Sequence, residues 1–205
     1  MKNNQKNSTQ KNHNEGKNSQ IDWLEFALEV LVTKGPDSLK IIPLCELKGV
    51  TKGSFYHHFQ NRDKFIDALM EHWYQKMTLD FIAQANTQES ALDRLNKLDQ
   101  VIANHNILAE MHIRAWALKD KSIAQHLGKI DQQRQDYLAN CYLELGVEEK
   151  SAKDIALVAY ANFLGMQQIH PTPTLETVLR VTAMASKAFL PTPPLANTSE
   201  QMKSV

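Results

Sequence analysis

Apolar side chains recur along most of this chain at steps of three and four, the spacing that lines one face of a helix. In residues 21–33 they fall at 21, 24, 28 and 31 and again at 23, 26, 27 and 30, so this helix is apolar on more than one face and is packed on two sides. The stretch "KGPDS" (34–38) ends it, because Gly35 suits a carboxyl-terminal cap and Pro36 cannot continue a helix. Pro43 would remove a backbone hydrogen bond in a helix interior, whereas at the first helical position its missing N–H is no loss. A short second helix is therefore expected over 43–48. Gly49 stops it, and Thr51 caps a third helix. Asn61 caps a fourth, with the stripe Phe65, Ile66, Leu69, Met70, Trp73 and Met77.

Two short helices joined by a tight glycine-containing turn and braced by a longer helix in front make a helix-turn-helix unit. The pattern stays helical beyond Thr78. Leu92, Leu95, Leu98, Val101 and Ile102 mark a fifth helix, and Leu108, Met111, Ala115 and Trp116 a sixth. A seventh carries Ile123, Leu127, Ile130, Tyr137, Leu138, Cys141 and Leu145, and Gly146 closes it. Ser151 is placed to cap an eighth, with Asp154 reaching back to it. That helix has apolar or small residues on nearly every face, so it is covered all round, most economically by a second copy of the chain. A ninth, over 175–190, completes a four-helix dimer interface with it. The expected fold is all-α, with about nine helices in two units: a helix-turn-helix domain over 20–75 and a helical ligand-binding and dimerisation domain over 76–190.

Composition narrows this further. The 205 residues include only seven Gly and seven Pro, and five of those Pro lie at 171, 173, 191, 193 and 194, which leaves long stretches free to be helical. Cys45 and Cys141 each fall in an apolar periodic segment, the pattern of two buried thiols in a reducing compartment. The amino terminus is polar and no apolar run is long enough for a membrane span, so a cytoplasmic location is expected. Formal net charge is zero. Residues 1–19 carry four Lys against one Glu among Asn, Gln and Ser, which reads as a disordered basic arm, and 191–205 as a disordered tail.

The chemistry concentrates in "VTKGSFYHHF" (50–59). Phe55 and Phe59, four apart, suit the inward face of the third helix. Lys52, Gly53, Ser54, Tyr56, His57 and His58 then lie at or near the surface. The helix start and Lys52 offer positive charge to a phosphate, Gly53 allows close approach, and Ser54 and Tyr56 reach groove edges. Arg62 and Lys64 open the fourth helix where a flanking phosphate would lie. A catalytic reading fails on geometry: adjacent imidazoles project about 100° apart on a helix and cannot serve one atom or one metal. No carboxylate stands at a spacing that would orient either ring, and nothing in the sequence calls for a cofactor or a metal.

The segment "ALEVLVTKGPDSLKIIPLCELKGVTKGSFYHHFQNRDKFIDAL" resembles the amino-terminal DNA-binding domain of the TetR/AcrR family of bacterial transcriptional regulators, closely over 20–73 and most specifically in "GVTKGSFYHHF...RDKF". Residues 113–138 look more loosely like the ligand-binding half of many members. The resemblance implies a homodimer whose recognition helices enter successive major grooves of double-stranded DNA and whose other domain binds a small effector. It implies DNA contacts from Thr51, Lys52, Gly53, Ser54, Tyr56, His57 and His58, and a phosphate contact from Arg62. Many members have Thr where this chain has Ile41. Ile cannot donate, and Lys40 beside it is the substitute. The domain carries six Lys or Arg against eight Asp or Glu over 20–75, so DNA binding rests on local placement of charge.

Candidate effector contacts are the polar or aromatic residues within the apolar stripes of the fifth to eighth helices: His105, His112, Trp116, Tyr137, Cys141, Tyr160, Phe163 and Gln167. Arg114 has Glu110 one turn before it, the spacing of a helix-surface ion pair. The leading function is an effector-released repressor on a palindromic operator. The alternatives are a DNA-binding protein of the same fold that acts through a protein partner, and an enzyme using Cys141 with a His, for which no activating constellation exists.

Overall fold

A computed structural model describes residues 19–169 and, beyond them, 173, 174, 176–178, 180–182 and 184. The arm before Ser19 and the tail over 191–205 lie outside the described residues, as does most of the ninth helix expected over 175–190. Among the described residues there are nine α-helices and no strand. They are α1 (Gln20–Lys34), α2 (Ile41–Lys48), α3 (Lys52–His58), α4 (Arg62–Tyr74), α5 (Asp80–Ala85), α6 (Ala91–Ala103), α7 (Leu108–Ala117), α8 (Lys121–Glu144) and α9 (Glu149–Met166). None of them is long and apolar enough to cross a membrane.

Local signals explain most boundaries. The Ser19 and Asn61 side chains accept from the amides of Asp22 (3.1 Å) and Lys64 (2.8 Å), capping α1 and α4. Gly49 closes α2 at φ 70°, a left-handed conformation that a side chain would strain, and Val50 N–H then reaches back to the Cys45 carbonyl at 3.0 Å. This closure turns the chain directly into α3. Two boundaries differ from expectation. Pro43 lies two residues inside α2, because the first N–H groups of any helix lack an intrahelical partner and a proline at the third position also loses no bond. Glu148, not Ser151, caps α9, its carboxylate accepting from the Ser151 amide at 3.2 Å. As expected, the chain stays helical past Thr78: beyond α4, Gln75–Leu79 forms a turn of π-helix and the rod continues through α5, with no Gly or Pro between Gly53 and Gly128 to break it.

One buried cluster joins Trp23, Leu31, Phe55, Phe65, Leu69 and Trp73 of α1–α4 to Ile113 and Trp116 of α7 and to Ile123, Leu127 and Ile130 of α8. A second joins Ala91 and Leu95 of α6 to Ala139, Cys141 and Tyr142 of α8 and to Ala152, Ile155 and Ala156 of α9. Both cysteines are buried and free. Within the expected stripes, Leu92 and Leu108 are exposed, as is Ala115; on α7 the inward face is Glu110, Ile113 and Trp116.

Candidate functional site

The third helix is seated by its aromatics. Phe55 is fully buried with its ring edge-on to Trp23 at 5.6 Å and to Phe65 at 5.3 Å, and Phe59 meets Phe65 at 5.0 Å. Anchoring at 55 and 59 turns the opposite face outward. Lys52, Gly53, Tyr56 and His57 are exposed along with Thr51, while Ser54 and His58 are half-buried. The His58 ring leans on Trp23 at 6.5 Å and meets the His57 ring at 5.0 Å, so of the two imidazoles His57 is the more open. Thr51 occupies the cap position, but its hydroxyl makes no capping bond and remains at the exposed start of the helix. Gly53 has no internal reason to lack a side chain. A Cβ there would meet only the Thr51 hydroxyl, at an ordinary 3.5 Å.

The acidic balance of this domain resolves once its pairs are known. Lys48 is withdrawn from the surface, bonded to Asp22 at 2.6 Å with its ammonium over the rings of Trp23 and Phe26, which ties α2 to α1. Lys40 pairs with Asp37 at 2.9 Å and Lys64 stands 3.6 Å from Asp67, both in solvent. Glu25 is held below the usual carboxylate range by hydrogen bonds and charge from Lys76 and His72, against the opposing pull of its burial. Lys52 and Arg62 have no ion pair among the described residues, so two cations flank the exposed face of α3 without internal partners.

In the other half the charged groups turn inward. Glu110 is 2% exposed and accepts from Arg114 Nε at 2.8 Å and from Arg134 Nη1 at 2.9 Å. Arg114 also grips Asp131 with both terminal nitrogens, at 3.1 and 2.7 Å. The Tyr160 hydroxyl donates to Asp131 at 2.7 Å and accepts from both arginines, and burial pushes its pKa well up. Arg134 completes the network by donating to Thr78 Oγ1 at 2.8 Å and to the Met77 carbonyl at 3.2 Å, both in the π turn, with its guanidinium over the Trp73 ring. Two positive and two negative groups, with the Tyr160 hydroxyl, thus tie α7, α8 and α9 to the π turn that follows α4. The pair expected on the surface of α7 is one edge of this buried network.

Beside the network, between the two apolar clusters, lies a cavity of about 300 Å³. Of the eight residues singled out in the sequence, His105, Tyr137, Tyr160, Phe163 and Gln167 line it. His112, Trp116 and Cys141 do not: Trp116 is packed into the first cluster, Cys141 into the second, and His112 is half-buried beside Ile113 on α7. Burial, then the neighbouring Cys141, pushes Tyr137 up to about 12 while its hydroxyl donates to Asn86 at 2.9 Å. Sequence reasoning missed Asp99, Glu110, Arg134 and Asn162, all in the wall. Asp99 had a usable signal: it stands one turn after Leu95 and one before Ala103, a carboxylate inside the apolar stripe of α6. Among the described residues no group of three or more His, Cys, Asp or Glu is placed to hold a metal.

The sequence profile described as "Bacterial regulatory proteins, tetR family" matches residues 24–69, from the first turns of α1 into α4. Over 135 residues the chain is 25% identical to the "Probable HTH-type transcriptional regulator ArpR" of Pseudomonas putida and 24% identical to the HTH-type transcriptional regulator TtgR of the same species, each match spanning 62% of both chains. Among solved structures, the reduced form of NemR from E. coli superposes with a TM-score of 0.71 at 18% identity, over 85% of this chain and 98% of that one. SCO4454, a TetR-family transcriptional regulator from Streptomyces coelicolor, gives 0.71 at 13% identity, over 91% and 95%.

Proposed function

We propose, since the chain belongs to the TetR family of bacterial regulatory proteins, that it is a dimeric DNA-binding transcriptional regulator, a repressor released from a palindromic operator when a small molecule occupies the cavity. The observation that carries this reading is the division of α3 into a buried aromatic edge and an exposed face of Lys52, Gly53, Tyr56 and His57, flanked by the unpaired Arg62. That face supplies a helix to the major groove and cations to its phosphates. Thr51, Ser54 and His58 border it, and Lys40 and Lys64, held only by solvent-exposed pairs, can exchange them for phosphate. Support for a dimer comes from α9, whose outer face leaves Leu157 at 54% and Val158 at 47% exposed while the other face packs on α8. Support for gating comes from Arg134, which bonds both the cavity wall and the π turn in the rod from the DNA-binding domain.

Selection of bound fragments from genomic DNA at two salt concentrations tests the reading. A palindrome with half-sites a whole number of helical turns apart is expected. Tyr56→Ala and Lys52→Ala should each weaken binding to that fragment by about tenfold or more with the melting temperature unchanged, since neither side chain is part of the core. Retention of wild-type affinity by both variants would remove α3 as the reading head.

A further inference from the structure

The cavity contains two acceptors for which the described protein supplies no donor. Asp99 projects from α6 into the wall and makes no hydrogen bond or ion pair among the described residues. The Gln167 side-chain oxygen is buried and unpartnered, its nitrogen being occupied by the Phe163 carbonyl at 3.2 Å. The remaining charges of the wall, Glu110 and Arg134, neutralise each other at 2.9 Å. An ionised Asp99 therefore leaves the wall with an excess of one negative charge, set among Phe81, Leu98, Ile102, Leu138 and Phe163.

From this arrangement we infer that the ligand of the cavity is a lipophilic organic monocation, an apolar amine whose ammonium group sits against Asp99 and whose hydrocarbon body fills the apolar wall. The inference rests on the reading of this cavity as the effector site. An anion would be set against an unpaired carboxylate, and a neutral hydrocarbon would leave both acceptors buried without a donor. A cation supplies the missing charge, and its N–H groups the missing donors. Burial alone pushes Asp99 up to about 6, so in the empty cavity the carboxyl takes up a proton as the pH falls through that value. An ammonium ligand favours the ionised form. Its affinity must rise with pH through about 6, and binding on the acid side must release a proton. His105 after α6, Glu110 from α7, Arg134 and Tyr137 from α8 and Tyr160 from α9 share the wall. His105 shares the wall with Asp99, which is why Asp99 itself must also be varied.

Titration calorimetry of the full-length protein with phenylbutylamine, phenylbutanol and phenylbutanoate separates the possibilities, at pH about 7.5 and about 5.5. The amine is expected to bind on the order of tenfold more tightly than the alcohol at the higher pH, to lose most of that advantage at the lower, and to lose it at both in Asp99→Asn. Equal binding of amine and alcohol, tighter binding of the carboxylate, an amine preference that survives in Asp99→Asn, or binding of none of the three would overturn the inference. Release of the operator fragment, followed in parallel, reports on the underlying reading instead. Selective amine binding with no change in DNA affinity would sustain the inference while removing the effector role of the cavity.

Discussion

The two halves of the chain treat their charged side chains in opposite ways. In the first, aromatic packing of Phe55 and Phe59 consumes the inner edge of α3 and leaves the exposed Lys52 and the half-buried Arg62 without ion-pair partners among the described residues. In the second, Glu110, Asp131, Arg114 and Arg134 face inward and satisfy one another. An exposed, unpartnered cation contributes little to stability and is free to meet a phosphate. A buried, fully bonded network does the reverse: it fixes how four elements sit together, and each member depends on the rest. Under the proposed function, this contrast gives α3 the contacts with DNA and the junction of α7, α8 and α9 with the π turn the mechanical connection.

Removing one member of the network is the strongest way to break this contrast. Glu110→Ala strips two guanidinium groups of a buried counter-ion and is expected to destabilise the fold by about 3–5 kcal/mol, read as a fall in the urea midpoint. A loss below about 1 kcal/mol would mean that Arg114 and Arg134 are hydrated and that the halves do not differ as described. Asp99 is the exception within the second half, a half-buried carboxyl with no partner among the described residues, and its effect has the opposite sign. Because its folded pKa is raised from 3.8 to about 6, the ionised form is disfavoured in the native state, a penalty fully present above about 6 and gone below the unfolded value. Asp99→Asn should therefore stabilise the protein by about 2 kcal/mol at pH 8, with the gain vanishing by pH 4. No gain at pH 8 would show that Asp99 is solvated in the native protein, and a gain independent of pH would show that it does not come from ionisation.

How far each half was legible in the sequence follows from the same division. Caps and breakers act locally, so Gly35, Gly49, Asn61 and Gly146 mark their helix ends in one dimension, and the four-residue spacing of Phe55 and Phe59 identifies the buried edge of α3. The network joins residues up to 57 positions apart, and nothing local to Arg134 announces that it bonds Met77 and Thr78. The same limit applies to Trp116 and Cys141, polar-tipped members of apolar stripes whose destination, cluster or cavity, depends on which neighbour lies opposite. The π turn is a further case: a pattern of threes and fours does not record one extra residue inserted in an unbroken rod.

Gly53 offers the finest test, because stability and binding should move in opposite directions. Glycine inside a helix is less stable than alanine by up to about 1 kcal/mol, chiefly through the backbone freedom it has in the unfolded chain. At position 53 no left-handed conformation requires glycine, and a Cβ would have ordinary contact with the Thr51 hydroxyl alone. Gly53→Ala is therefore expected to raise stability by about 0.5–1 kcal/mol, seen as a small rise in the denaturation midpoint. On DNA the added methyl stands on the exposed face beside Lys52 and Ser54, where a base edge or phosphate must approach, so affinity for the selected fragment should fall. A variant that is both more stable and an equally good binder would mean that the first turn of α3 does not touch DNA, and the contact surface would then centre on Tyr56 and His57.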